Sequence, residues 1–413
     1  MKIGVLTHNY PRFPGDFSGR FVEALSEELA RQRHAVTVIA PWDAAFVPRP
    51  AGSPVTLRLY RYAPRAGWHR LGYMRTMQAD VRMRGLTYLL APGMFAAGAR
   101  AVMGWAAAAR PDVLHAHWAL PNGFLAALAA RRYRIPLVVS IPGSDATVAA
   151  QNPLFGRMAR FAFDAAGLIT SNASELRDAA VHDLGADPRK FDLIAYGVDP
   201  DALRPDTTGV AGLRAQLGIP DDAVVLLAVG RMVYKKGFDY LLRAAALLKE
   251  SAPDLFARLR LVMVGEGDLW AEWQALGREL GLTGAVHWVG NAPTEAMGVF
   301  NNLADIAVMP AVSKPATGLA VSVLDAMSCG KPIVASRAAG NDLAVRDGVN
   351  GLLVPEQDAP ALADALARLA ADPALRAEMG AASRCLIETE LGWPQLAARY
   401  VAHFERLRAG LRR

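Results

Sequence analysis

Short apolar runs of strand length alternate with segments of helix length along almost the whole chain. The first run, Ile3 to Thr7, is followed by a Gly- and Pro-containing loop, a segment with apolar residues at helical spacing, and the strand pattern AVTVIA. Later runs of this kind are DVLHA, PLVVS, GLIT and FDLIA, and then VVLLAVG, LRLVMVG, AVHWVG, DIAVMP, KPIVAS and GLLV. The alternation predicts an α/β fold with doubly wound parallel sheets.

The alternation lapses once, in the segment GVDPDALRPDTTG, where Pro, Asp and Gly accumulate. We place a domain boundary there, which gives an N-terminal domain over residues 1–204 and a second domain over residues 205–392. Residues 393–413 are predicted to form a helix that packs back toward the N-terminal domain. A chain of 413 residues has ample length for two such domains.

Composition excludes several classes of protein. The only two cysteines, Cys329 and Cys385, cannot build a disulfide framework, and without CxxC spacing they argue against structural zinc. The apolar run after Lys2 is too short for a signal peptide. The apolar stretch 85–99 contains Pro92 and falls short of the roughly 20 residues that a membrane span needs. We therefore expect a cytoplasmic protein without a transmembrane helix.

One segment, Arg58 to Arg84, accounts for the net charge of the chain. It contains seven arginines and a single acid, Asp80, so its excess of six equals the formal net charge of +6. The segment also contains Trp68 and several tyrosines and methionines, a mixture that suits a lipid–water interface. Two interpretations are open. The segment is either a solvated loop and helix, or a surface that faces the inner side of an anionic membrane. No nucleic-acid partner is expected.

The segment VGRMVYKKGFDYLL places positive side chains between a strand and a helix. The strand ends at Gly230, Arg231 and Lys236 follow, and the helix begins after Gly237. Ligands of open α/β sheets bind beyond the carboxyl ends of strands, and a helix N-terminus favours phosphate. The segment therefore predicts a phosphate site, with a solvated charged turn as the alternative.

A second segment, ATGLAVSVLDAMSCGKPIVAS, begins another helix, from about Leu319. Thr317 or Gly318 can present backbone N–H groups to an anion at its start. Asp325, further along the helix, is either an acceptor for the vicinal hydroxyls of a ribose or a solvated acid.

Together with VMVGEG, VHWVG and DGVNGLLVP, these segments resemble the nucleotide-sugar-dependent retaining glycosyltransferases of family 4. In the N-terminal half, YPRFPGDFSGRFVEALSEELA is similar to the glycine loop and first helix of that family, and DVLHAHWALPNG and IPGSD are similar to its acceptor-side loops. The resemblance covers nearly the whole chain. It implies the GT-B architecture, in which two Rossmann-like domains face a cleft.

The resemblance also implies roles for individual residues. Arg231 and Lys236 would be the catalytic cations that hold the donor diphosphate, and Asp325 would bind ribose where the family usually has a glutamate. The other implied donor-binding residues are Ser18, Gly19, Gly230, Gly265, Glu266, Gly267, Thr317, Gly318, Leu319 and Ala320.

Two residues are placed on the acceptor side, His117 and Asp145. His115 and His117 lie two positions apart without a third ligand marked by the sequence, so a packed or acceptor-side role is preferred to a metal site. Asp145 is either an acceptor-side acid or the cap of the segment that follows it.

Two positions depart from the family pattern. Thr317 stands eight residues before Asp325, where the family usually has a second acid that binds the donor sugar. Pro142 stands where a histidine often precedes GSD. The resemblance nevertheless implies transfer of a sugar, with retention, from a nucleotide diphosphate sugar to a hydroxyl of a lipid-linked or cell-surface glycan. No cofactor and no divalent metal are expected. The alternative is a non-catalytic GT-B protein that serves as a nucleotide-binding or scaffold subunit.

Overall fold

A computed structural model describes residues 1–50, 52–73, 77–78, 82–83, 85–143 and 145–410. The chain divides into two compact units. The first unit comprises Met1–Ile194 together with Trp393–Arg413, and the second comprises Ala195–Gly392.

The first unit is built around a parallel sheet of seven strands among the described residues, in the order β3-β2-β1-β6-β7-β8-β9. A separate antiparallel pair joins β4 to β5. The central strands are buried along almost their entire length, as expected for a sheet with helices on both faces. The strands are β1 (Lys2–Leu6), β2 (Ala35–Pro41), β3 (Thr56–Tyr60), β4 (Met77–Gln78), β5 (Arg82–Met83), β6 (Val113–His117), β7 (Leu137–Ile141), β8 (Leu168–Ser171) and β9 (Phe191–Leu193).

The second unit repeats this plan with six parallel strands in the order β12-β11-β10-β13-β14-β15. Its core is formed by the inner faces of these strands and the apolar faces of the helices between them. The strands are β10 (Val224–Val229), β11 (Leu259–Val264), β12 (Val286–Gly290), β13 (Ile306–Met309), β14 (Ile333–Ser336) and β15 (Gly351–Val354).

Helices connect successive strands in both units. Those of the first unit are α1 (Arg20–Arg31), α2 (Gly85–Ala109), α3 (Phe124–Tyr133), α4 (Asp145–Ala150), α5 (Pro153–Ala165) and α6 (Ser174–Leu184). Those of the second unit are α7 (Val210–Gln216), α8 (Phe238–Ser251), α9 (Pro253–Ala257), α10 (Trp270–Glu279), α11 (Met297–Leu303), α12 (Val321–Ser328), α13 (Ala359–Ala371) and α14 (Pro373–Leu386). The chain then returns to the first unit as α15 (Trp393–Gly410).

Local sequence explains where several of these helices begin. Asn152 precedes α5, and its side chain accepts hydrogen bonds from the N–H groups of Leu154 and Phe155. Asp372 caps α14 in the same way, and proline is the first residue of both helices. Such caps satisfy N–H groups that have no partner within the helix.

The α/β fold predicted from the alternation of strands and helices is confirmed, as two Rossmann-like units. The structure divides the chain after Ile194, whereas the sequence suggested a boundary after Arg204. The difference arises because Ala195 and Val198 are already packed in the core of the second unit. The edge strand β3 was not recognised from the sequence, since its residues alternate between exposed and partly buried positions.

The apolar stretch 85–99 forms part of α2, which continues through Pro92 to Ala109. Among the described residues, no helix combines the length and the hydrophobicity that crossing a lipid bilayer requires.

Candidate functional site

The strand order of each unit reverses at one point. In the second unit, β10 has β11 on one side and β13 on the other, and in the first unit β1 lies between β2 and β6. Connections that leave a central strand in opposite directions create a crevice at its carboxyl end, where α/β proteins bind ligands. The loops after β10, β13, β1 and β6 therefore border these crevices.

The loop after β10 carries the predicted cations. Arg231 is exposed, and Lys236 is half-buried in a short 3₁₀ turn, Tyr234–Lys236. The stem of Lys236 lies against the backbone at the strand end, since a Cβ on Gly230 would be 3.3 Å from its Cε. Gly237 then begins α8 with a left-handed φ of 62°. The structure thus places both cations in the loop between β10 and α8, at the carboxyl end of β10.

The loop after β11 packs directly against this turn, and two glycines allow the approach. A Cβ on Gly265 would lie 2.2 Å from the carbonyl oxygen of Gly230, and one on Gly267 would lie 2.6 Å from that of Met232. Backbone bonds join the two loops, with Met232 N–H donating to the Glu266 carbonyl at 3.0 Å. The exposed carboxylate of Glu266 accepts a 2.9 Å hydrogen bond from Asn291.

The segment before α12 supplies backbone donors at the same edge of the sheet. Gly318, Leu319 and Ala320 precede the helix, and their N–H groups donate to no other residue in the described part of the chain. The Ser322 hydroxyl donates to the Val229 carbonyl at 3.0 Å and so fixes the start of α12 beside the end of β10. Uncapped N–H groups at a helix start are suited to an anion.

Two further residues of this segment were singled out by the sequence. Thr317 is buried, with 9% of its surface exposed. Asp325 is half-buried and is the fifth residue of α12, which begins at Val321.

A tether that the sequence did not reveal holds this segment in place. The backbone N–H and the hydroxyl of Ser313 donate to the two carboxylate oxygens of Glu356, at 2.5 and 2.6 Å. Val312 N–H donates to the Lys235 carbonyl at 3.1 Å, which joins the segment to the loop after β10. Ser313 and Glu356 are 43 residues apart, so no local pattern signals their pairing.

In the first unit, the loop after β1 is held by a buried carboxylate. Asp16 accepts from the Arg12 side chain at 2.6 Å and from Ser18 N–H at 3.1 Å. Burial acts to raise the pKa of Asp16, but these hydrogen bonds prevail and lower it to about 2. Gly19 follows with φ of 71°, and a Cβ there would lie 2.1 Å from the Asn9 carbonyl. Ser18 is buried, and both predicted donor-side residues of this unit thus lie between β1 and α1.

His8, which the sequence analysis missed, lies at the strand reversal of the first unit. Its ring centroid is 4.5 Å from that of Trp118, and its Nδ1 is 2.9 Å from the Asn122 side-chain nitrogen. Because Asn122 donates to Nδ1, the proton of a neutral His8 is on Nε2. Burial lowers the pKa of His8 to about 4, so the ring is neutral at physiological pH. The one feature of the local sequence that marks His8 is its position directly after an apolar strand pattern.

His115 and His117 are buried side by side on β6, with ring centroids 4.3 Å apart. His115 contacts the Ser140 hydroxyl at 2.7 Å, in a buried chain that continues through Thr170 to Tyr400 of α15. Burial lowers the pKa of His115 to about 3 and that of His117 well below its usual value. Both rings are therefore neutral at physiological pH.

Two buried side chains near the carboxyl ends of β6 and β8 have unsatisfied polar atoms. Within the described residues, neither ring nitrogen of His117 and neither side-chain polar atom of Asn172 has a hydrogen-bond partner. An unmet polar group in the interior costs about 1–3 kcal/mol, so both side chains gain from a ligand that hydrogen-bonds to them. Asn172 was not identified from the sequence.

The remaining acceptor-side residue, Asp145, is the first residue of α4. In the described part of the chain, no group of three His, Cys, Asp or Glu side chains has the arrangement of a metal site.

The basic segment is only partly a mixed aromatic and cationic surface. Arg58, Arg61, Arg65 and Arg70 are exposed and Trp68 is 48% exposed, whereas the side chains of Tyr60, Tyr62, Leu71 and Tyr73 are buried. The expectation that these buried residues face an interface is wrong, because they pack within the first unit. Met74, Arg75, Asp80 and Arg84 lie outside the described residues.

Comparison with known proteins gives matches over both halves of the chain. Residues 18–202 match the family model Glycosyltransferase Family 4, and residues 211–385 match the model Glycosyl transferases group 1. The D-inositol 3-phosphate glycosyltransferase of Streptomyces bingchenggensis is 30% identical over 346 residues, which span 78% of this chain and 73% of that protein.

Two solved structures share the fold. The sucrose-phosphate synthase from Thermosynechococcus elongatus superposes with a TM-score of 0.74 at 21% identity and covers 99% of both chains. HepE from Anabaena in complex with UDP has a TM-score of 0.70 at 19% identity, over 98% of this chain and all of that one.

We expect Gly237→Ala to unfold more easily than Gly218→Ala, although both glycines have a φ near 60°. A left-handed alanine costs about 1–2 kcal/mol in either variant. Only at Gly237 would the Cβ also meet a carbonyl, that of Pro310 at 2.0 Å, so the total loss there should reach about 3 kcal/mol. Urea unfolding of both variants measures the difference. Equal losses of stability would contradict the close contact between Gly237 and the loop after β13.

Proposed function

The chain belongs to glycosyltransferase family 4, and on that premise we propose that it transfers a sugar, with retention at the anomeric carbon, from a nucleotide diphosphate sugar to an acceptor hydroxyl. The observation that carries the proposal is the convergence of Arg231, Lys236 and the N–H groups of Gly318–Ala320 at the carboxyl end of β10. Thr317, Asp325 and the Gly265–Gly267 loop belong to the same donor site in this proposal.

The proposed chemistry requires that negative charge be stabilised as the diphosphate leaves. Fixed cations and N–H dipoles that already point at this charge lower the barrier without reorganising during the reaction. Arg231 and Lys236 supply the cations, and the start of α12 supplies the dipoles. The scaffold alternative is less favoured, because a protein without turnover has no need of such a diphosphate clamp.

The same residues make a divalent metal unnecessary in the proposed mechanism. Two side-chain cations neutralise the leaving diphosphate, and the acceptor hydroxyl attacks from the face that the diphosphate leaves. A phosphate oxygen of the leaving group then accepts the proton of the hydroxyl. The sugar keeps its anomeric configuration because attack and departure occur on one face.

The unit that contains β1 provides the proposed acceptor side. The unsatisfied His117 and Asn172 and the neutral His8 can hydrogen-bond to hydroxyl groups, as a sugar or cyclitol acceptor requires. A lipid-linked or cell-surface glycan is the acceptor that the basic segment favours. The name of the Streptomyces relative favours a second candidate, D-inositol 3-phosphate.

The donor is identified by a ligand panel. A thermal-shift series with UDP, GDP, ADP and their sugars should show one nucleotide that raises Tm, since ligand at about 100 times its Kd stabilises by roughly 2.7 kcal/mol. The Anabaena relative binds UDP, which makes the uridine nucleotides the first members of the panel.

We expect Arg231→Ala and Lys236→Ala each to lower the rate of sugar transfer about ten- to a hundredfold. Each variant removes a charge-assisted contact with the diphosphate, worth roughly 1.5–3 kcal/mol. Lys249→Ala is the matched control, because Lys249 is an exposed cation on α8 that donates to the Gly281 carbonyl. EDTA should leave the wild-type rate unchanged. A rate abolished by EDTA and restored by Mg²⁺ or Mn²⁺ would sink the metal-free mechanism.

Thr317→Glu should alter which sugar is used more than which nucleotide is bound. A carboxylate accepts more and stronger hydrogen bonds from sugar hydroxyls than a threonine hydroxyl does. Relative rates with several donors that share one base test this expectation, and Thr317→Val controls for loss of the hydroxyl alone. If sugar selectivity is the same in Thr317→Glu and wild type, position 317 does not contact the donor sugar.

The exposed arginines of the basic segment are proposed to attract the protein to an anionic membrane surface. The same unit also exposes two apolar side chains, Trp68 in the segment and Leu89 on α2, which is 76% exposed. The protein should sediment with anionic but not with neutral vesicles, and 1 M salt should release it, since the Debye length falls to about 3 Å. The triple variant Arg58→Gln, Arg65→Gln, Arg70→Gln should stay in the supernatant. Equal recovery with both vesicle types would refute the proposal.

A further inference from the structure

A cavity of about 300 Å³ opens on the first unit between the chain that follows β3 and one face of α2. Its walls consist mostly of alanine, glycine and proline, with the side chains of Arg61 and Arg100 on opposite elements. The volume lies at the lower end of the range for small-molecule sites. Arg61 directly follows Tyr60, the last residue of β3, so the cavity lies at the carboxyl edge of the sheet.

A stack of aromatic rings fixes the wall that carries Arg61. The Arg61 guanidinium lies 3.8 Å from the centroid of the Trp42 ring, and Trp42 packs edge-on against His69 at 4.9 Å. His69 also contacts the Tyr62 ring at 4.5 Å, and its Nε2 is 3.0 Å from the Ala63 carbonyl. A guanidinium stacked on a ring keeps its N–H groups available in its own plane.

The facing wall is open because α2 has small residues there. A Cβ on Gly93 would lie 2.8 Å from the Tyr62 carbonyl, so the helix approaches closely at this turn. One turn later Ala96 is exposed and leaves the space that a longer side chain would fill. Arg100 follows a further turn along the same face.

The positive charges of the two arginines are not matched by any carboxylate that the structure describes. In the part of the chain that the structure describes, neither Arg61 nor Arg100 forms an ion pair with a carboxylate. Two cations that line one small cavity repel each other unless an anion lies between them. A planar guanidinium group donates two parallel hydrogen bonds to two oxygens of one phosphate. A phosphate group is therefore the natural anion for this cavity.

We propose that the cavity between Arg61 and Arg100 binds a phosphate ester group. Resting on the proposed function, this group is the phosphate of the acceptor, held on the acceptor-side unit apart from the donor diphosphate site of the other unit. Apolar atoms of the acceptor next to the phosphate contact the alanine and proline walls. The site therefore selects a phosphorylated acceptor over an uncharged one.

Calorimetry with sn-glycerol 3-phosphate tests the site in the double variant Arg231→Ala, Lys236→Ala, which lacks the clamp of the donor site. Binding should persist in this background and weaken about tenfold with either Arg61→Gln or Arg100→Gln added, since each removes a charge-assisted contact. Arg132→Gln is the matched control, because Arg132 is exposed and stacks on Tyr133 but lies outside the cavity. Glycerol, which lacks the phosphate, should not bind.

Ala96→Leu separates a built site from general attraction to positive charge. It places three additional carbon atoms in the cavity while both arginines stay, so it should also weaken binding. Vesicles with phosphatidic acid distinguish the source of the phosphate. If the protein binds these vesicles but not sn-glycerol 3-phosphate, and Arg61→Gln abolishes that binding, the phosphate belongs to a lipid headgroup. If neither probe binds, or binding is unaffected by Arg61→Gln, Arg100→Gln and Ala96→Leu, the proposal is overturned. The same substitutions in a chain that keeps Arg231 and Lys236 should leave the Tm shift with UDP intact, which shows that the donor site is retained and makes this failure distinct from failure of the proposed function.

Discussion

In each unit one central strand, β1 or β10, pairs in parallel with a neighbour on both sides. The rest of this molecule depends on that constraint. A central strand of this kind must be buried on both faces, which explains its continuous apolar sequence. Its connections leave in opposite directions, so the loops at its carboxyl end separate and leave a crevice. The cations, backbone donors and histidines described above all lie at or next to these crevices.

Close approach of backbones determines the shape of the loops after β10, β11 and β13. Gly237, Gly265 and Gly267 each lie where a Cβ would meet a carbonyl oxygen, so larger residues would push the loops after β10, β11 and β13 apart. The Ser313–Glu356 pair and the Ser322 hydroxyl then hold the start of α12 beside the cations. An anion site made of fixed groups stabilises developing charge better than a mobile one, because its dipoles need not reorient.

The first unit has a different property, the burial of neutral polar groups. Burial keeps His8, His115 and His117 uncharged at physiological pH, so these rings add no positive charge to the unit. Exposed arginines, among them Arg61 and Arg100, carry positive charge at the surface of the same unit. In the function that we propose, hydroxyl recognition and anion recognition therefore belong to separate groups of side chains.

The sequence by itself determined the two α/β units, the family and the places of Arg231, Lys236 and the start of α12, because each of these depends on local patterns of apolar residues, glycines and charges. Only the tertiary structure decided which distant residues meet. His8 beside Trp118, Ser313 on Glu356 and the burial of Tyr60, Tyr62 and Tyr73 all result from the order of strands in the sheets. That order is a property of the packed chain, since contacts between residues far apart form only when the intervening elements have been laid side by side.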